Sequence, residues 1–201
     1  MNQDRTAPAT PTPRRSTTRA RILATATELF YANGIRATSA DRIIDQAGIT
    51  KVTFYRHFRS KGDLVVAYLQ EQSAAEQAWV RSTLHDDDPL GSLRELATGI
   101  GAASCRPGFR GCAFINAAAE YADPADPVRA AVAEHRRWLL ETFADLAARA
   151  RVADVGSAAH QLMLLRDGAM VNGYLGDPKS VAESLSAAFT SVIEAGTAHD
   201  R

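Results

Sequence analysis

The sequence predicts an all-α fold of about nine helices, arranged as a small N-terminal domain and a larger C-terminal domain. Apolar residues recur three or four positions apart along almost the whole chain, which is the spacing of one face of an α-helix. Gly, Pro and helix-capping residues interrupt this pattern at short intervals. No stretch of useful length shows the apolar and polar alternation of a half-buried β-strand.

The N-terminal part is predicted to contain a tail followed by three helices. Residues 1–16 are rich in Pro, Thr and Ala and carry too few large apolar residues to fold, so we expect a disordered tail. Thr38 is typical of a capping residue at a helix start, and Gly48 is typical of a helix end. Thr50 can begin a third short helix, which ends near Phe58. The first two helices are predicted at about 17–33 and 39–47.

Six further helices are predicted after this point. The seventh gives the clearest signal, because apolar residues from Val128 to Ala150 step by four and three positions without interruption. Gly196 is expected to end the last helix. The predicted ranges are about 60–84, 90–104, 109–121, 128–150, 155–175 and 178–195. The predicted domains are therefore 17–68 and 69–201.

The two predicted domains differ in charge although the whole chain is neutral. Residues 1–68 contain eleven Lys and Arg against five Asp and Glu, a balance of +6. The rest of the chain contains twelve against eighteen, a balance of −6. A basic N-terminal part indicates an anionic partner such as nucleic acid for that part alone.

The third helix has two chemically distinct sides. Phe54 and Phe58 are four positions apart and share one face, which can pack inward. The outer side of the helix then contains two further pairs that are four positions apart, Lys51 with Tyr55 and Thr53 with His57. Hydrogen-bond donors of this kind can reach base edges and phosphates in the DNA major groove. Two short helices joined by a turn with Gly, the second rich in donors, predict a helix-turn-helix.

Other classes of function find little support in the sequence. The chain lacks a phosphate-binding Gly-rich loop with Lys, a nucleophile elbow and a His-Glu-x-x-His pattern, so we predict no enzyme and no cofactor. Cys105 and Cys112 lack the companion Cys and His residues of a zinc site, which leaves a redox pair or two ordinary small residues. With no leader and no membrane-length apolar run, a cytoplasmic protein without membrane contact is expected.

Several short segments of the N-terminal domain also match a known family pattern. They are Leu29-Phe30, Gly34, Thr38-Ser39, Ala47-Gly48-Ile49, Phe54-Tyr55-Arg56-His57-Phe58 and Ser60-Lys61. Through them, residues 17–68 resemble the DNA-binding domain of the TetR family of transcriptional regulators. The resemblance implies a homodimer of all-helical subunits, each with a small DNA-binding domain and a larger ligand-binding and dimerising domain.

The resemblance also implies roles for particular residues in contacting an operator. Lys51, Val52 and Thr53 match the start of the recognition helix, where base contacts are made. Val52 departs from the small or polar residue that is common there, and it could contact a thymine methyl group. The other implied DNA contacts are Tyr55, His57, Lys61 and an anchor at Thr38 or Ser39. For Tyr55 and His57 packing on helix 4 is the alternative, and for Lys61 a solvated charge.

The C-terminal domain offers only general expectations for ligand binding. A pocket enclosed by helices 4–8 would be apolar with a few polar groups, although each candidate could equally be an ordinary core residue. The candidates are Trp79, Phe109, Phe114, Asn116, Tyr121, Trp138, Met163, Arg166, Met170 and Asn172. His135 lies on an apolar stripe and is interpreted as a hydrogen-bonded core histidine. In the tail, Arg14 and Arg15 could form a minor-groove arm.

Helices 8 and 9 are the candidate dimerisation elements. Each carries an apolar stripe, and two such helices from each of two subunits can build a four-helix bundle. Packing of the stripes within one subunit is the alternative. The candidate interface residues are Leu162, Leu165, Gly168, Ala169, Leu185, Ala188, Phe189 and Val192.

Overall fold

A computed structural model describes the backbone of residues 13–197 and the side chains of residues 17–197. This part of the chain contains nine α-helices, one short 3-10 helix at Pro178–Ser180 and no β-strand, which confirms the predicted all-α fold. The helices are α1 (Pro13–Asn33), α2 (Ala40–Ala47), α3 (Lys51–His57), α4 (Lys61–Thr83), α5 (Pro89–Ser104), α6 (Ala113–Glu120), α7 (Pro127–Arg149), α8 (Val155–Leu175) and α9 (Val181–Thr197).

Three predicted helix boundaries were wrong. Helix α1 begins at Pro13, so residues 13–16 are helical rather than part of a tail, and residues 1–12 lie outside the described chain. Helix α6 begins at Ala113 because the preceding loop contains Gly108 and Gly111 with φ of +80° and +78°. Helix α9 continues through Gly196, where a Cβ atom would lie 2.5 Å from Val152 Cγ1, so the glycine serves close packing.

The chain forms two compact units, which divide between Leu64 and Val65, inside α4. The core of the N-terminal unit is built from apolar residues of α1, α2 and α3 and of the segments that follow α1 and α3. Packing of α1 on α2 and of α2 on α3 buries them. The buried residues are Ile22, Ala26, Leu29, Phe30, Ile35, Ile43, Ile44, Ala47, Phe54 and Phe58.

The turn between α2 and α3 is defined by local capping interactions. Ser39 precedes α2, and its hydroxyl accepts a hydrogen bond from the Arg42 backbone N–H at 3.1 Å. Gly48 ends α2 in the left-handed conformation at φ 60° and ψ 46°. The Thr50 hydroxyl then accepts from the Thr53 backbone N–H at 3.2 Å and starts α3. The turn is thus fixed by residues adjacent in sequence.

Thr38 does not cap α2, contrary to the prediction. Its side chain is completely buried, and its hydroxyl lies 2.9 Å from the Gly34 carbonyl oxygen and 3.3 Å from that of Leu29. Both carbonyls belong to the end of α1 or to the residue after it. Thr38 therefore closes the C-terminal end of α1, and the neighbouring Ser39 takes the capping role.

The C-terminal unit is a layered helical bundle. Helix α5 packs against α9, α8 packs against both α7 and α9, and α6 covers α7. Large side chains without solvent exposure fill the space between them, and the rings of Phe143 and Phe189 meet edge to face at 5.8 Å between centroids. None of the described helices is long and apolar enough to cross a lipid bilayer.

We expect Thr38→Val to destabilise the N-terminal unit by about 1–2 kcal/mol, because the variant keeps the shape but loses the hydroxyl that bonds the end of α1. Thr27→Val is the matched control, since the buried Thr27 hydroxyl has no hydrogen-bond partner among the described residues. Amide hydrogen exchange in α1 and α2 of the full chain would measure both effects. Equal exchange rates in the two variants would contradict the role assigned to Thr38.

Candidate nucleic-acid interface and buried charge cluster

Helix α3 has the two sides that the sequence predicted. Phe54 and Phe58 are 0% and 3% exposed, whereas Val52 and Tyr55 are 69% and 44% exposed. The Lys51 side chain is also exposed. The outer side of α3 therefore presents an ammonium, a valine side chain and a phenol to solvent.

Buried neighbours hold the outer residues of α3 in place. The Tyr55 ring packs edge-on against the buried Phe54 ring at 5.2 Å between centroids. The Arg19 guanidinium lies 4.9 Å from the centroid of the Phe58 ring and covers it. Thr53 is half-buried, and its hydroxyl lies 2.9 Å from that of Thr50. This contact holds the Thr53 side chain at the start of the helix.

Among the described residues, Lys51 forms an ion pair with one exposed carboxylate, which another anion can readily replace. Its ammonium nitrogen lies 3.3 Å from the Asp41 carboxylate of α2, and both side chains are well exposed. An exposed pair of this kind contributes little to stability because water and salt screen it. Lys51 can therefore turn to a phosphate or a base edge at small cost.

The other predicted DNA contacts differ in how accessible they are. Ser39 is exposed, and its hydroxyl keeps its own hydrogen for donation while it accepts from Arg42. Lys61 is half-buried, and its ammonium lies 3.5 Å from the Arg36 carbonyl oxygen. His57 is half-buried at the end of α3. The Thr38 side chain is completely buried and does not reach the surface, in contrast to the predicted DNA contact.

Several exposed basic residues of this unit were not selected from the sequence. The sequence indicated them only through the excess of basic residues before residue 69. That excess gives the number of basic residues but does not show which of them are exposed. They lie within α3 or within about fifteen residues of it in sequence, and they add positive charge to the N-terminal unit. They are Arg36, Arg42, Arg56 and Arg59.

A capped helix, a left-handed glycine turn and a second helix that buries two Phe residues and exposes donors define a helix-turn-helix DNA-binding domain. Residues 22–68 match the sequence profile described as "Bacterial regulatory proteins, tetR family". The chain belongs to the TetR family of transcriptional regulators.

A solved structure supports this membership over almost the whole chain. SCO4454, a TetR-family transcriptional regulator from Streptomyces coelicolor, is 42% identical in sequence and superposes with a TM-score of 0.84. The match covers 90% of this chain and 97% of that one. The similarity therefore includes the C-terminal unit as well as the DNA-binding unit.

Curated relatives match only the N-terminal part. TtgR of Pseudomonas putida, an HTH-type transcriptional regulator, is 36% identical over 81 residues, which are 39% of each chain. FasR of Mycolicibacterium smegmatis, an HTH-type transcriptional activator, is 38% identical over 66 residues, which are 33% of this chain and 30% of FasR. The match thus spans less than half the length of these relatives.

The predicted ligand-binding residues differ in burial. Phe114, Met163, Arg166 and Met170 are buried, and Trp79, Phe109, Tyr121 and Trp138 are half-buried. Asn116 and Asn172 are exposed, and their side-chain amides donate to the carbonyls of Arg110 and Gly168 at 2.8 and 3.0 Å. These two asparagines therefore hydrogen-bond nearby backbone carbonyls.

A cluster of charged residues lies at the centre of the C-terminal unit. The Arg166 side chain is 4% exposed, and one of its nitrogens donates to Glu76 Oε1 at 2.8 Å. Its other terminal nitrogen lies 3.2 Å from Asp167 Oδ1 and 3.3 Å from Cys112 Sγ. Arg136 donates to Asp167 Oδ2 at 2.7 Å. Two guanidinium groups and two carboxylates thus balance in charge across α4, α7 and α8.

His135 joins this cluster to a polar side chain of α4, as the prediction of a hydrogen-bonded core histidine required. Its ring stacks on Phe114 at 3.5 Å between centroids, and Nδ1 lies 3.0 Å from Ser73 Oγ. Nε2 lies 3.4 Å from Glu76 Oε2, within ion-pair distance but without hydrogen-bond geometry. Ser73 Oγ and Nδ1 share one hydrogen bond, and Nε2 faces the Glu76 carboxylate.

The two cysteines have different surroundings. Cys105 is exposed, whereas Cys112 is buried beside Arg166. Both are free thiols. No group of three or more His, Cys, Asp or Glu among residues 13–197 is arranged to hold a metal ion.

Half of the predicted dimer residues pack inside their own subunit. Leu162, Ala169, Leu185 and Phe189 are at most 8% exposed, because α8 and α9 pack on each other and on α5. Leu165, Gly168, Ala188 and Val192 are half-buried. The large apolar residues that α8 leaves exposed were missed, since periodicity does not tell which of two faces is covered. They are Leu164, Val171, Tyr174 and Leu175.

The buried cluster makes stability depend on pH. Burial alone would raise the pKa of Glu76, but the adjacent His135 ring and the charge of Arg166 lower it below its ordinary value of 4.5. The unfolded chain then takes up the Glu76 proton at a higher pH than the folded chain does. The stabilisation is complete above the ordinary pKa and is lost as pH falls through the lowered value.

We expect Glu76→Gln to lower the free energy of unfolding at neutral pH by about 3 kcal/mol, because Arg166 loses its charged partner. Since Gln does not titrate, the variant should also show a weaker loss of stability in acid than the parent chain. Glu71→Gln, an exposed site on the same helix, is the control. Urea denaturation at several pH values measures both effects, and parallel pH profiles for the parent and Glu76→Gln would refute the assignment.

Proposed function

We propose that the protein is a ligand-responsive repressor that binds a pseudo-palindromic DNA operator as a homodimer and is released by a small molecule. The observation that carries the proposal is the outer side of α3, where Lys51, Val52 and Tyr55 are exposed over a buried Phe pair. This arrangement matches a recognition helix that enters a major groove. Membership of the TetR family supports the same function.

Different residues of the N-terminal unit would contribute affinity and specificity. Lys51 and Tyr55 carry the donors that reach base edges and phosphates from α3. Val52 would contact a thymine methyl group, the main apolar feature of the major groove. Ser39, Lys61 and the exposed arginines would contact phosphates and make binding depend on salt. The N-terminus of α2 adds its dipole beside Ser39.

An exposed stripe on α8 supports the homodimer. Leu164, Gly168, Val171 and Leu175 are spaced by four, three and four residues, so they lie on one side of the helix. Leu164 and Leu175 are 72% and 75% exposed, which is unfavourable in a helix without a partner. A two-fold axis through this stripe would pair α8 and α9 of one subunit with those of the other.

Release would follow from a difference in ligand affinity between two conformations. In the dimer, two recognition helices must stand roughly 34–36 Å apart to enter successive major grooves. A ligand that prefers a conformation with another separation lowers operator affinity, and the operator then weakens ligand binding by the same factor. Helix α4 contributes residues to both units, which supports its role as the lever.

An activator is the alternative outcome for the same DNA-binding surface. FasR is named as an activator, although its similarity covers only a third of this chain. An enzyme finds less support, because the relatives that match are transcriptional regulators. A reporter gene placed behind the selected operator distinguishes repression from activation by the sign of the change.

We expect Lys51→Ala to weaken binding to the selected operator by about 5- to 150-fold, since a base or phosphate contact of this kind is worth about 1–3 kcal/mol. Lys179→Ala, an exposed lysine of the C-terminal unit, is the control and should bind as the parent does. Selection from random DNA followed by titration at several salt concentrations gives the measurement. Equal losses in both variants, or no enriched palindrome, would contradict the assigned interface.

We expect Leu164→Glu to shift the dimer to monomers, with a dissociation constant raised at least about a hundredfold by a buried unpaired charge. Ala78→Glu, at an exposed position of α4, is the control and should leave the dimer intact. Sedimentation velocity over a range of concentrations measures both. A Leu164→Glu protein that sediments as the parent does would place the interface elsewhere.

A further inference from the structure

We propose that the effector binds in the cleft between α4 and α7 beside His135, and that it is a small neutral or cationic molecule with a hydrogen-bond donor. This inference rests on the proposed function in one respect, the existence of an effector. It adds the location of the effector site and the chemistry that the site selects.

The cleft has the dimensions and the mixed lining of a small-ligand site. Its volume is about 180 Å³, well below that of a drug-sized pocket. Leu69, Ala74 and Ala131 give it an apolar side. Ser73, Gln77 and His135 bring polar groups to the same space. A ligand with about eight to ten non-hydrogen atoms, including one small apolar group, fits this volume.

The charge of the lining excludes anions. Glu134 contributes a carboxylate to the cleft, and none of the described residues that line it is Lys or Arg. The carboxylate of Glu76 lies behind the His135 ring, 3.4 Å from Nε2. An anionic ligand would face the Glu134 carboxylate without a Lys or Arg of the lining to offset it, whereas an ammonium or amide N–H would find acceptors.

The polar wall is already connected to the buried charge cluster. Gln77 donates to Ser73 Oγ at 3.1 Å, and Ser73 Oγ lies 3.0 Å from His135 Nδ1. On the other side of the ring, Glu76 receives the hydrogen bond of Arg166 at 2.8 Å. A ligand N–H that donates to Ser73 Oγ competes with Gln77 for that oxygen. His135 is therefore a positioning residue between the cleft and α8.

This chain of contacts gives the site a route to the proposed dimer surface. Arg166 and Asp167 lie on α8, between the exposed Leu164 and Val171. A change in the Ser73 to His135 contact alters the charge partner of Arg166 and so the packing of α8 against α4 and α7. The ligand would thus act on the helix that carries the apolar stripe.

The direct test uses three probes of similar size and different charge on the full-length protein without DNA. Benzylamine is cationic, benzamide is neutral and benzoate is anionic. Titrations would be followed through the ¹⁵N signals of the His135 imidazole. We expect saturable shifts for benzylamine at millimolar concentration, at least about threefold weaker binding of benzamide, and no saturation by benzoate. Preferred binding of benzoate, or no saturation by any probe, overturns the proposal.

Matched variants locate the site. Ala131→Leu fills the cleft and should weaken benzylamine binding at least tenfold, whereas Ala133→Leu, exposed on the same helix, should not. Glu134→Gln should remove the preference for benzylamine over benzamide, with exposed Glu141→Gln as its control. Ser73→Ala should keep the fold but reduce the His135 shift, because the hydroxyl contact is gone. Unchanged binding in Ala131→Leu overturns the location.

The experiments distinguish failure of the proposed effector site from failure of the proposed function. Operator binding is measured independently, and Ala131→Leu should bind operator as the parent does. If the probes bind as expected but leave operator affinity unchanged, the cleft is a ligand site and ligand-driven release is wrong. If Ala131→Leu no longer binds the probes yet is still released from operator by benzylamine, the effector acts elsewhere and the inference is overturned.

Discussion

The burial of Phe54 and Phe58 is the constraint on which the DNA-binding surface depends. A helix of seven residues is too short to persist in water by its own hydrogen bonds, so α3 must take its stability from packing. Both Phe side chains are almost fully buried, and they fix the rotation of the helix about its axis. That rotation decides that Lys51, Val52 and Tyr55 face outward. The recognition surface is thus a consequence of the core beneath it.

The C-terminal unit is organised by a different interaction, the pairing of charges away from water. Arg166 is nearly inaccessible, yet it contacts Glu76, Asp167 and the Cys112 sulfur. Removing such a group from water is costly, and the cost is offset only while all partners stay in position. The helices that supply these partners are therefore held in one arrangement. Displacement of any one partner changes the interactions of the others.

The sequence predicted what depends on neighbouring residues and missed what depends on distant ones. The range of α8 was correct because Asp154 and Gly176 mark its ends locally. The charge cluster was missed because Arg166 and Glu76 are 90 positions apart. The face of α8 that remains exposed was also missed, since a helical repeat identifies residues that share a face and leaves open what covers it. Ser39 caps α2 in place of the predicted Thr38, and the sequence could not decide between them because both residue types can cap a helix.

The two cysteines have a practical consequence for measuring shape. The chain contains only Cys105 and Cys112, and the first is exposed at the end of α5 while the second is buried. A thiol-directed nitroxide or fluorophore should therefore react at one place on each chain without prior mutagenesis. Two such labels in an assembly of two chains would report a single intermolecular distance. Cys105 therefore allows a distance between two C-terminal units to be measured in the natural sequence.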